Sequence, residues 1–201
     1  MEVSWDSLHE AIAACERCGL CRGIHHKVAG QGNGKAALMF IGEGPGAEED
    51  LQGLAFVGAA GQLLTKMIAA IGLTREQVYI CNVVKCRPPR NRTPLPEEAE
   101  ACLPFLRAQF ALVRPRVVVL LGATAARAVL GGQVRITRDR GHWEERKGVW
   151  FLPTYHPAAL LRDESKKRDA WHDFQAAAGK LKALAQVAGQ EAHAEIDPIT
   201  R

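Results

Sequence analysis

The run Arg116-Val117-Val118-Val119-Leu120-Leu121-Gly122 decides the fold. Its aliphatic residues follow one another without polar alternation, the pattern of a strand buried on both faces. The Ala-rich stretch 123–130 that follows directly reads as a helix. The same alternation recurs along the chain. A short apolar run from Ala36 to Ile41 ends at Gly42, Val78 to Val84 makes a second strand, and Val149 to Pro153 makes a fourth. Helical spacing covers Gln62 to Ile71 through Leu63, Leu64, Met67, Ile68 and Ile71. Pro96 suits the first position of another helix, whose early Glu97, Glu98 and Glu100 suit the helix dipole, while Pro104 inside the pattern predicts a kink or break. Helices over 4–14 and 165–186 complete the set. The order implies an α/β three-layer sandwich around a central four-stranded, mainly parallel sheet, with ligands beyond the carboxyl ends of the strands.

Length and composition bound the remaining possibilities. The chain has 201 residues, 47% hydrophobic and 24% charged, which suits one globular domain over 1–185 followed by a frayed polar tail over 186–201. A formal net charge of +4 is mildly basic. No apolar run approaches the roughly 18 residues of a membrane span. The opening MEVSWDSLHE has neither the basic nor the apolar region of an export signal, so a cytoplasmic protein without membrane contact is expected. Six cysteines in such a chain read as metal or cofactor ligands before disulfides.

Cys15 and Cys18 form a half-site, and Cys86 and Cys102 lie far downstream. Four thiolates can hold zinc or an iron–sulfur cluster. The second pair does not repeat the close knuckle typical of structural zinc, and spacing alone leaves the metal open. It also leaves open an exchange of Cys18 for Cys21. Cys81, inside an apolar strand, reads as a small core residue.

Chemistry-bearing residues gather after three of the four strands. Gly42-Glu43-Gly44-Pro45-Gly46 follows the first, opening a Gly-rich segment to Gly61 that reads as an irregular loop with close backbone approach. Glu49 and Phe56 lie within it, and Phe56 is suited to stacking. Asn82 interrupts a β-branched run, a costly place for an amide unless its donors and acceptor are used. His156 precedes Pro157, which favours an extended backbone at the histidine. Basic residues cluster at Lys85, Arg87, Arg90 and Arg92, at Arg135, Arg138 and Arg140, and at Arg162, Lys166, Lys167 and Arg168, which suggests a phosphate-binding rim.

Taken together, CERC at 15–18, GEGPGAEED at 42–50, FVGAAGQLL at 56–64, NVVKCRPPRNRTPLPEEAEAC at 82–102 and HPAALLR at 156–162 resemble the family-4, iron–sulfur branch of the uracil-DNA glycosylases. The resemblance runs from Cys15 to about Phe174. It implies a DNA repair hydrolase that flips deoxyuridine from DNA, releases uracil and leaves an abasic site. It implies a 4Fe-4S cluster on Cys15, Cys18, Cys86 and Cys102, with Cys21 and Cys81 outside the ligand set. It places Gly42, Glu43 and Gly44 along the uracil, Phe56 on its ring, and Asn82 at its N3–H and O4. Glu49 is expected to crowd the thymine methyl in place of the Tyr that other branches carry at the position of Gly46. His156 is expected to stabilise the departing base at O2, and Glu43 to stabilise the sugar cation or orient water. Arg87, Arg90, Leu161 and Arg162 are implied DNA contacts, Leu161 as a wedge filling the vacated stack. The implied partners are uracil-containing DNA and uracil as product, and the protein itself is expected to be a monomer. The rival readings are a non-catalytic or covalently trapping uracil-DNA binder, a ferredoxin-like electron carrier and a zinc-stabilised nucleic-acid module. Trapping would need a histidine in an insertion after the second strand, and Lys85 to Pro96 contains neither.

Overall fold

The computed structural model describes residues 4–194, with side chains to 187. Its elements are, in chain order, α1 (Trp5–Ala13), β1 (Gln31–Gly32), β2 (Leu38–Gly42), α2 (Ala47–Gln52), α3 (Ala59–Ala70), β3 (Tyr79–Asn82), α4 (Pro96–Val113), β4 (Val117–Leu121), α5 (Gly122–Leu130), α6 (Ile136–Asp139), β5 (Glu144–Arg146), β6 (Val149–Thr154), α7 (Pro157–Arg162) and α8 (Lys167–Ala194).

The strands form one sheet in the order β1-β3-β2-β4-β6-β5. The four expected strands make its parallel centre, β3-β2-β4-β6. Two short antiparallel edge strands, β1 and β5, were not expected from the sequence. Each spans only two or three residues and carries no apolar run. They cap the edges of the parallel core with little length of their own exposed for further pairing.

Alternation along the buried strands divides the core into two layers. Met39, Ile41, Cys81, Val118 and Leu120 face α1, α4 and α5, meeting Leu8, Ile12, Phe105, Leu106 and Ala125. Leu38, Phe40, Ile80, Val117 and Val119 face α3 and α8, meeting Leu64, Ile68, Phe174 and Ala177. Phe40 stacks on Phe174 with ring centroids 5.4 Å apart. This is the expected three-layer sandwich, and Cys81 is a fully buried core residue within it.

Three local expectations are corrected. The glycine-rich stretch after β2 is not irregular throughout, because α2 forms inside it and α3 begins at Ala59. Helix α4 runs unbroken through Pro104. That residue is exposed, so water can satisfy the carbonyl its missing N–H would have met. Helix α8 continues past Gln186 to Ala194, beyond the point where a tail was expected, and residues 195–201 of that tail lie outside the described residues.

Candidate active site

Register brings the strand ends together. Gly42 stands opposite Asn82 across β2 and β3, and Leu121 stands opposite Thr154 across β4 and β6. The chain beyond these positions converges on one cleft of about 600 Å³, lined by Glu43, Gly44, Phe56, Asn82, Gly122 and His156, with Arg162 at its wall. The sheet ladder continues one step past β2, since Val83 and Val84 donate to the carbonyls of Gly42 and Glu43 at 2.9 and 3.2 Å. That step pins the backbone of Glu43.

The glycines of the loop serve close packing. Gly42 is not part of the cleft wall, in contrast to the expectation. A Cβ there would press on the Phe56 ring and stand 2.5 Å from Asn82 Oδ1, so a side chain would displace both. A Cβ at Gly44 would lie 2.7 Å from Val84 Cγ2, and one at Gly46 2.7 Å from Glu49 Oε2.

Glu49 is buried, and its carboxylate accepts three backbone amides: Gly46 at 3.0 Å, and Val57 and Gly58 at 2.8 Å each. It therefore braces one side of the loop against the other. Between these anchors Phe56 has φ of +54°, a left-handed conformation costing a non-glycine residue on the order of 1–2 kcal/mol. Its ring lies 5.6 Å from that of His156, inclined by 31°.

His156 caps α7, its Nδ1 accepting from the Ala158 amide at 3.1 Å. This bond places the proton of the neutral imidazole on Nε2. Burial, then the positive charge of Arg162, pushes the imidazole pKa down to about 4 against an opposing pull from Glu49. The ring is neutral at physiological pH and offers one N–H donor. Asn82 is buried at 1% exposure, and its Oδ1 has no hydrogen-bond partner among the described residues. A buried acceptor left unpaired costs about 1–3 kcal/mol. Glu43 accepts a hydrogen bond from the Thr124 hydroxyl on α5. Thr124 was missed at the sequence level, where a threonine in an Ala-rich helix carries no sign of the carboxylate it will meet.

The basic rim is smaller than expected. Lys85 is buried at 2% exposure, its ammonium donating to the Asn82 carbonyl and to Gln109 Oε1, both at 2.6 Å. Arg140 forks onto the buried Asp173, which also accepts from Thr154, tying α8 to the strand that leads to His156. Arg87 and Arg90 do not line the cleft. Arg87 Nε bonds Asn91 Oδ1 at 2.7 Å, and Arg90 is exposed in a left-handed conformation. Asn91 and Arg92 line the cleft instead, Arg92 held by both oxygens of Glu98 at 2.7 Å. On α7, Leu160 is buried and Leu161 is 47% exposed beside Arg162.

Cys15, Cys18, Cys86 and Cys102 line one small cavity near the base of the 87–95 loop. Burial, then the sulfurs of Cys102, Cys18 and Cys15, push the Cys86 thiol up to about 12, so the four are close neighbours. Cys21 also borders the cavity. The Lys85 amide donates to Cys102 Sγ at 3.3 Å, the kind of bond that stabilises a thiolate ligand. Among the described residues no group of three or more His, Cys, Asp or Glu is arranged to hold a single metal ion. Four thiols around one cavity form a donor set that a metal ion or an iron–sulfur cluster can use.

A parallel α/β core whose strand ends present a carboxylate, an amide and an imidazole around one cleft has the architecture in which α/β proteins hold ligands. Comparison with known families specifies the class. The family model of the uracil DNA glycosylase superfamily matches residues 29–175, and the chain belongs to that superfamily. Within it, the chain is 46% identical over 187 residues to the type-4 uracil-DNA glycosylase of Thermotoga maritima, covering 90% of this chain and 96% of the relative. The type-4 uracil-DNA glycosylase of Archaeoglobus fulgidus is 44% identical over 180 residues, covering 86% and 90%. A type-5 uracil-DNA glycosylase of Pyrobaculum aerophilum is 36% identical over 146 residues, covering 64% of each chain. The resemblance drawn from the sequence motifs is thereby borne out.

Proposed function

We propose that the chain is a DNA repair glycosylase that takes deoxyuridine out of DNA, hydrolyses its N-glycosidic bond and releases uracil. The observation that carries this reading is Asn82 Oδ1, a buried acceptor without a partner, in a cleft that Phe56 and His156 share. Uracil supplies the missing donor at N3–H, and the Asn82 amide nitrogen then donates to O4. Cytosine presents an acceptor at N3 and a donor at N4, which leaves both groups opposed and makes rejection strong. Phe56 stacks on the ring. Glu49, rigid under three amides, forms the wall that a thymine methyl meets.

Bond cleavage builds negative charge on the departing base and positive charge on the sugar. The His156 Nε2–H donates to O2 and stabilises the leaving anion from a neutral ring. The Glu43 carboxylate, oriented by Thr124, stabilises the sugar cation and positions water for attack. Leu161 enters the vacated stack, and Arg162, Arg87 and Arg90 meet phosphates.

Cys15, Cys18, Cys86 and Cys102 hold a 4Fe-4S cluster in this reading. Its chemistry when bound is a structural cross-link between the segment at 15–18 and the two ends of the 87–101 segment.

Incubation with an oligonucleotide containing one deoxyuridine, followed by alkali, tests the function. Strand scission at the uracil, with free uracil in solution, is expected. Intact strands, or a heat-stable protein–DNA adduct, would overturn the reading in favour of a binder or a trap.

A further inference from the structure

Phe56 holds a backbone conformation that a bulky side chain rarely adopts, and Glu49 secures only the amides that follow it. The carbonyls on the other side are secured by a residue remote from the cleft. Arg75, in the turn before β3, sends Nη2 to the Ala55 carbonyl at 2.7 Å and Nη1 to the Phe56 carbonyl at 3.1 Å. Nη1 also donates to Thr65 Oγ1 at 3.0 Å, on α3. Gly61 leaves the space this requires, since a Cβ there would run into the Phe56 backbone. The peptide unit that carries the ring is thus gripped by a carboxylate on its amide side and a guanidinium on its carbonyl side.

We infer that Arg75 is a positioning residue for base recognition, holding Phe56 in the conformation that turns its ring into the cleft. The inference rests on the proposed stacking role of Phe56 and adds the device that maintains it. The planar fork presents separate nitrogens to two successive carbonyls, with a hydroxyl met by one of them. A lysine at 75 carries its donors on a single nitrogen and lacks the two separate nitrogens that meet the Ala55 and Phe56 carbonyls. Without the fork, Phe56 relaxes toward ordinary backbone angles and the ring leaves its position against the base. The cost then falls on binding of the base and spares the Glu43 and His156 chemistry.

The test compares Arg75→Gln and Arg75→Lys with the parent, reading KM and kcat on uracil-containing DNA and inhibition by added uracil. Expected is a roughly tenfold weaker uracil inhibition and a matching rise in KM for Arg75→Gln, with kcat within about threefold. Arg75→Lys should fall between that variant and the parent, and it remains measurable if Arg75→Gln does not fold. Phe56→Leu separates the two levels of the argument. In that background Arg75→Lys and Arg75→Gln should each add less than twofold. Parent-like uracil inhibition in Phe56→Leu itself would remove the stacking role on which the inference rests. A weakened Phe56→Leu beside unaffected Arg75 variants would overturn the inference alone. Equal losses from an Arg75 change in both backgrounds would reduce Arg75 to a general structural role and also overturn it.

Discussion

The Thr124 hydroxyl donates to the Glu43 carboxylate, joining the first turn of the helix after β4 to the loop after β2. With this bond all four parallel strands contribute to the site, through Glu43, Asn82, Thr124 and His156. The carboxylate has its orientation set from outside its own loop.

Thr124→Val keeps the shape of the side chain and removes the donor. Single-turnover uracil release should slow about tenfold, equivalent to about 1.4 kcal/mol, while Thr124→Ser stays near the parent. In a Glu43→Gln background the valine should add little. An undiminished rate in Thr124→Val would show that Glu43 needs no such orientation.

Asn82→Asp places an acceptor where uracil O4 requires a donor. Uracil release should fall by roughly two orders of magnitude, and slow release of cytosine should appear. The measurement is alkali cleavage of matched oligonucleotides carrying uracil or cytosine at one position. Unchanged selectivity would remove Asn82 from base reading.

The depressed pKa of His156 links stability to pH. An unfolded histidine titrates near 6.5, and the folded one near 4. Between those values the unfolded chain binds a proton that the folded chain refuses. The contribution is therefore complete above about pH 6.5, declines as pH falls, and is gone below about pH 4. Urea unfolding of the parent and of His156→Gln at pH 7, 5.5 and 4.5 measures it. The parent should lose more stability than the variant over this range, and parallel losses would contradict a buried neutral ring.

Cys86→Ser should abolish visible absorption and iron content if the four thiols hold a cluster, with about four iron and four sulfide per chain in the parent. Limited proteolysis should then cut first within 87–95, the loop that Cys86 and Cys102 flank. One zinc per chain and no sulfide in the parent would replace the cluster with a structural zinc ion.

Much of this protein is written in local sequence. The aliphatic run at 117–121 and its neighbours specify buried parallel strands because period and composition are local properties of the chain. Motif resemblance also singles out Glu43, Asn82 and His156, which share one cleft, and four cysteines, which share another cavity, since each stands in a distinctive run of residues. Edge strands β1 and β5 escaped because pairing partners, not their own residues, define them. Lys85 and Arg140 looked like a solvated basic face because a lysine or arginine reads the same locally whether it meets water, an amide or a buried aspartate. Tertiary structure alone decided that Lys85 turns inward to Gln109, 24 residues away, and that Arg140 reaches Asp173. It alone set Thr124 on Glu43 and Arg75 on the backbone of Phe56. Hydrogen bonds between distant segments depend on where the packed sheet and helices place donor and acceptor, and spacing along the chain carries no record of that placement.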